Sequence, residues 1–114
     1  MRLKSTAIAA LLLLPTSVFG HSKAEHTTPG NNTTVETVEM IEIRFDDPMR
    51  VIAISLKGPD GDVAIVRETG LDPVTEFRAT PEGAMGAGVY QFDWRGLAAD
   101  GHPMQGSFSF RVAE

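Results

Sequence analysis

Gly88-Val89-Tyr90-Gln91-Phe92-Asp93-Trp94-Arg95 and, after a short break, Gly106-Ser107-Phe108-Ser109-Phe110-Arg111-Val112 decide the fold of this chain. Tyr90, Phe92 and Trp94 alternate with Gln91 and Asp93, and Phe108, Phe110 and Val112 alternate with Ser109 and Arg111. A period of two gives each run one dry face and one wet face, the mark of a half-buried strand. The aromatics on the dry faces are core residues, because burying such faces drives sheet packing. Working outward, Ile41, Ile43 and Phe45 alternate with Glu42 and Arg44, and Ile52, Ile54 and Leu56 with Ala53 and Ser55. Pro59-Asp60-Gly61 predicts a hairpin turn leading into Asp62-Val63-Ala64-Ile65-Val66. Residues 68–88 are rich in Gly and Pro and predict a long loop crossed by one short strand near Val74 to Arg78. No segment past residue 37 has a 3.6-residue period. About seven strands in a chain this short predict an all-β fold, a single Greek-key immunoglobulin-like β-sandwich or barrel.

Residues 1–20 have the pattern of a secretory signal peptide. Arg2 and Lys4 precede an apolar core from Ala7 to Leu14, Pro15 breaks it, and Val18-Phe19-Gly20 ends in the small residues that precede cleavage. The apolar run of about ten residues is too short to span a bilayer comfortably. Cleavage after Gly20 leaves one domain, residues 21–114, in which all 15 acidic residues meet 8 of the 10 basic ones, a formal charge of −7. That balance argues against nucleic acid and anionic membrane as partners and suits attraction of cations. The chain has no cysteine, so neither a disulfide nor a thiolate metal site is available.

Cleavage there makes His21 the first residue, and a free α-amine and its own ring Nδ1 can close a six-membered chelate around a metal. Asp100-Gly101-His102-Pro103 lies between the two deciding strands, and residues two apart in an extended segment point the same way. Alone, Asp-x-His is a common pattern that also describes a solvated turn. Joined to His21, it yields an amine, two imidazoles and a carboxylate, a mixed N and O set suited to tetragonal Cu(II). Zinc favours a tetrahedral site, often with thiolate. No Ser-His-Asp arrangement and no phosphate-binding Gly motif offers another chemistry.

The chain resembles the CopC/PcoC family of periplasmic copper-resistance proteins. The likeness rests on an N-terminal His followed by Thr28-Pro29, on Ile41-Glu42-Ile43-Arg44-Phe45-Asp46-Asp47, and above all on residues 88–95 leading into Asp100-Gly101-His102-Pro103 and Gly106-Ser107-Phe108-Ser109-Phe110. The resemblance implies one Cu(II) per chain held by the amine and ring of His21, by His102 and by Asp100. It also suggests Asp47, with Asp46 beside it as the weaker choice, as an acidic residue approaching the copper. A strand-end turn carboxylate is the plainer reading of Asp47. His26 has no counterpart and is either a solvated histidine or a further group near the metal. Many members add a Cu(I) site in a methionine-rich loop, but residues 57–87 hold only Met85 and no histidine. Met49 and Met104 each follow a proline near a proposed ligand and are read as gap-fillers at the rim of the core.

The function expected is that of a monomeric periplasmic Cu(II)-binding protein, not an enzyme. It would sequester copper or deliver it to an inner-membrane copper transporter or a multicopper oxidase. Two alternatives stay open: a copper oxidase of the lytic polysaccharide monooxygenase kind, and a metal-free immunoglobulin-like interaction module. One Trp and one Tyr, both in strand patterns, are poor material for the flat aromatic face of such an oxidase.

Overall fold

The computed structural model describes residues 24–114, so the signal segment and His21 lie outside the described residues. Eight strands follow in order: β1 (Ala24–Thr28), β2 (Thr33–Val35), β3 (Ile41–Gly58), β4 (Gly61–Asp62), β5 (Ile65–Arg67), β6 (Val74–Pro81), β7 (Gly88–Ala98) and β8 (Pro103–Val112). No helix is long and apolar enough to cross a membrane among the described residues.

β3 organises the fold. Its first half pairs antiparallel with β1 and β6, and its second half with β4 and β7. β5 extends the first group beyond β6, while β8 and then β2 extend the second beyond β7. One curled sheet therefore supplies both layers of an all-β sandwich, as the aromatic alternation predicts, with eight strands where about seven were expected. The layers meet in a single cluster. Phe77 and Ala79 of β6 join Tyr90, Phe92 and Trp94 of β7 and Phe108, Phe110 and Val112 of β8. The rings of Phe45 and Trp94 meet edge to face, 5.1 Å between centroids. Full burial of an aromatic or large aliphatic side chain contributes about 1.5–3 kcal/mol.

Three features depart from the alternation. The predicted strands at Ile41–Phe45 and Ile52–Leu56 are one element, which runs through Asp46-Asp47-Pro48 while its register against β6 jumps from Arg44↔Glu76 to Met49↔Val74. β3 thus carries three extra residues there. Pro48, which has no N–H to donate, is tolerated in this break of the ladder. A second bulge lies between Val51 and Ala53, and it turns Ile52 outward to 43% exposure although its alternation with Ile54 and Leu56 predicts a buried side chain. Met49 and Val51 occupy the core in that half of the strand. Finally, Asp62–Val66 is not one strand. β4 closes the expected hairpin on β3 through Pro59-Asp60 and Gly61 (φ 108°), and the chain then crosses to pair β5 with β6. The predicted short strand at Val74 to Arg78 extends to Pro81.

Candidate metal centre

The Asp100-His102 pair sits in the turn joining β7 to β8. Leu97↔Pro103 is the last pair of that ladder, and the turn beyond it is closed by the Gly101 N–H on the Ala98 carbonyl at 2.8 Å and the Ala98 N–H on the His102 carbonyl at 2.9 Å. Gly101 has φ 90°, a left-handed conformation that glycine adopts without a Cβ clash. Asp100 Oδ1 accepts the His102 N–H at 3.1 Å, and Oδ2 lies 2.7 Å from His102 Nδ1. The two side chains are brought together by this Asx turn and not by an extended segment, so the pairing expected from Asp-x-His holds for a different geometric reason. They are 65% and 75% exposed respectively, open to a solvated cation.

Electrostatics at the turn follow from these bonds. The His102 backbone N–H first, and its side chain next, hold the Asp100 carboxyl below its ordinary value of 3.8. The carboxylate is therefore ionised near neutral pH and accepts only, which assigns the proton on this contact to Nδ1 of His102. The 2.7 Å between Oδ2 and Nδ1 is an ordinary hydrogen-bond length, so the shared proton holds the two side chains together, and a cation bound by both would have to displace it.

The remaining candidates are placed as follows. Met49↔Ala98 is the last β3–β7 pair, so Asp47 and Asp100 each lie two residues beyond it, at the same end of that ladder. Asp46 and Asp47 are both exposed on the β3 excursion. Among the described residues no group of three His, Asp or Glu side chains converges to hold a metal, so the structure unites Asp100 with His102 and does not bring Asp47 to them. His21 lies outside the described residues. β1, however, starts at Ala24 opposite Phe45, at the same end where Asp46 and Asp47 begin the excursion. His26 pairs with Arg44 and is exposed on the outer face. Met49 is fully buried, and Met85 and Met104 pack against the core, in agreement with a filling role.

Residues 24–113 match the CopC domain family. The chain is 27% identical to copper resistance protein C of Pseudomonas syringae pv. tomato, over 94% of this chain and 92% of that protein. It is 25% identical to the copper transport protein CutJ of Bacillus subtilis (strain 168), over 91% of this chain but 20% of that protein. Its fold superposes with a TM-score of 0.68 on the crystal structure of PcoC, a methionine-rich copper resistance protein from Escherichia coli. That likeness has 25% identity over 82% of this chain and 99% of the other. The match spans nearly every described residue and includes the turn that carries Asp100 and His102, and on that ground the chain belongs to the CopC family.

Proposed function

We infer that this chain is a periplasmic Cu(II)-binding protein that sequesters copper or delivers it to a membrane transporter or oxidase, acting as a binding protein and not as an enzyme. The observation that carries the reading is the exposed Asp100-His102 pair with its 2.7 Å contact, in a chain whose relatives are named for copper resistance and copper transport. In this reading one Cu(II) takes the amine and ring of His21, His102 and Asp100. The further carboxylate in this reading is Asp47, exposed on β3 and not gathered with the pair among the described residues. Three residues of extended chain reach at most about 10 Å, which gives His21 a short tether from the start of β1. A hard carboxylate and nitrogen donors favour Cu(II); of the four described methionines, Met49, Met85 and Met104 pack in or against the core and only Met40 is exposed, so the described residues form no exposed thioether cluster for Cu(I).

Intact mass spectrometry of the secreted protein, with and without added copper, tests this reading. The expected result is a chain beginning at His21 that gains one copper, while His102→Ala remains folded and binds copper far more weakly. Undiminished affinity in His102→Ala, or a mature chain that begins after His21 and still binds, would overturn the assignment.

A further inference from the structure

The chain segregates its cations. Arg44 and Arg78 are bridged to Glu76 and Glu42, and the Arg67 guanidinium is tied to the carbonyls of Val51, Thr69 and Gly70 over the Phe77 ring. The other four described basic residues, Arg50, Lys57, Arg95 and Arg111, form no ion pair among the described residues. Strand register puts all four on one face. Phe92, Trp94, Phe108 and Phe110 are buried, so the residues alternating with them on β7 and β8 point outward. Cross-strand pairs then build contiguous rows: Arg50 beside Leu97 and Pro103, Ala53 beside Arg95 and Gln105, Ser55 beside Asp93 and Ser107, Lys57 beside Gln91 and Ser109, and Val89 beside Arg111. Successive rows are about 6.7 Å apart, so the face runs for about 27 Å.

Among the described residues, two carboxylates are paired into these rows. Asp93 accepts the Gln91 side-chain amide at 3.0 Å, and Asp62 of β4 lies opposite Lys57 at the end away from the metal turn. A net positive face is thus kept in a domain whose formal charge is −7. Its middle is hollowed. The small side chains of Ala53, Ser55 and Ser107 leave a trough of about 470 Å³, lined also by Asp93, Arg95 and Gln105. Guanidinium, amide and hydroxyl groups in it can donate hydrogen bonds to carboxylates. The row of Arg50, Leu97 and Pro103 ends the face at the turn that carries Asp100 and His102.

We propose that the outer face of β3, β7 and β8 is the docking surface for an acidic protein that exchanges copper with this one, its carboxylates meeting Arg50, Lys57, Arg95 and Arg111; this rests on the copper-binding reading above. A contact made mainly by charge suits a fast, transient encounter. It draws the partner onto the face whose end is the metal turn. An anionic membrane fits less well, because a continuous plane of charge also meets Asp93 and Asp62 and is repelled by the rest of an acidic domain. A second copy fits no better. Two such faces repel each other, and the outward carboxylates of β3 and β6, Glu42 and Glu76, are already paired with Arg78 and Arg44.

Three variants test the proposal. Lys57→Gln/Arg95→Gln/Arg111→Gln removes three exposed cations, Lys57→Arg/Arg95→Lys/Arg111→Lys keeps them, and Arg44→Gln/Arg78→Gln removes two from the opposite layer. Arg50 is left in place because it also holds the Leu71 carbonyl at 2.9 Å. A polyglutamate peptide, titrated at low salt into isotope-labelled protein and followed by amide NMR, should shift residues 91–95 and 105–111. The triple Gln variant should bind it about tenfold more weakly, and the other two as wild type does. In cells lacking the gene, the triple Gln variant should bind Cu(II) with unchanged affinity yet fail to restore copper tolerance, whereas the other two restore it. A peptide that does not bind, or that binds the triple Gln variant equally, overturns the proposal, and so does full restoration of tolerance by that variant. Weakened Cu(II) binding in that variant overturns it too, by making the face part of the copper site. Vesicles of phosphatidylglycerol and phosphatidylethanolamine that sediment wild type but not the triple Gln variant would assign the face to a membrane instead. A dimer in analytical ultracentrifugation that the same variant dissociates would assign it to a second copy. A wild-type gene without effect on tolerance, beside intact peptide binding, would overturn the copper reading itself.

Discussion

Asp100 grips His102 twice, accepting its backbone N–H on one carboxylate oxygen at 3.1 Å and facing its Nδ1 with the other at 2.7 Å. One side chain therefore shapes the turn, fixes the imidazole and supplies a carboxylate oxygen to the same spot.

Asp100→Asn keeps the shape but replaces an anionic oxygen with an amide, one of whose ends donates and no longer accepts. Because both residues are exposed, folding should be nearly unaffected. Cu(II) affinity should fall and the copper reduction potential should rise, read by competition titration and voltammetry. A potential that stays put or drops would remove Asp100 from the copper's coordination.

Acid should act on the turn and the copper at different pH. The Asp100 carboxyl is held below 3.8 in the folded chain, so its contribution to stability is complete above the unfolded value and is lost only as pH falls through the lower folded value. Copper should leave earlier, below about pH 5, because imidazole and amine donors must shed their protons to bind. Carbon-detected NMR of the Asp100 carboxyl alongside the copper absorption band separates the two events. Cu(II) retained unchanged at pH 3 would mean that other ligands hold it.

A residue left before His21 converts its amine into an amide nitrogen whose lone pair is delocalised into the carbonyl. Protein retaining Gly20 should fold with the same stability and bind Cu(II) much more weakly, with an altered electron paramagnetic resonance spectrum. Proteolytic restoration of the His21 terminus should reverse both changes. Identical spectra and affinities for the two forms would show that the amine takes no part.

Gly96 of β7 pairs with Val51 where β3 bulges. A Cβ there would sit 2.5 Å from the Arg50 carbonyl oxygen, a backbone atom that cannot swing aside. Gly96→Ala should cost about 1–3 kcal/mol, seen as a lower urea midpoint. A midpoint equal to that of wild type would mean that the β3 bulge opens without strain.

The strands that carry the most aromatic alternation were the most legible. Tyr90, Phe92, Trp94, Phe108 and Phe110 are buried where a period of two puts them, and Ile41, Ile43 and Phe45 likewise. Ile52 misled because a bulge resets the face of every residue after it, and a bulge leaves no mark in the local pattern. The short β2 went unseen for a related reason. It lies parallel to β8, docked by Asn32 N–H on Ser109 O at 2.7 Å and by Ser109 N–H on Asn31 Oδ1 at 3.0 Å, contacts between residues far apart in the chain.

The sequence by itself determined what is local: strand periodicity, the donor types available, the absence of any thiolate, and the Asp-x-His spacing with a glycine between. Only the tertiary structure decided that β3 runs unbroken past Pro48 and joins both layers, that Asp47 and Asp100 lie beyond the last β3–β7 pair at one end, and that a bulge turns Ile52 outward. The reason is physical. Periodicity and turn chemistry act within a few residues, whereas register and bulges are set by pairing between strands distant in sequence.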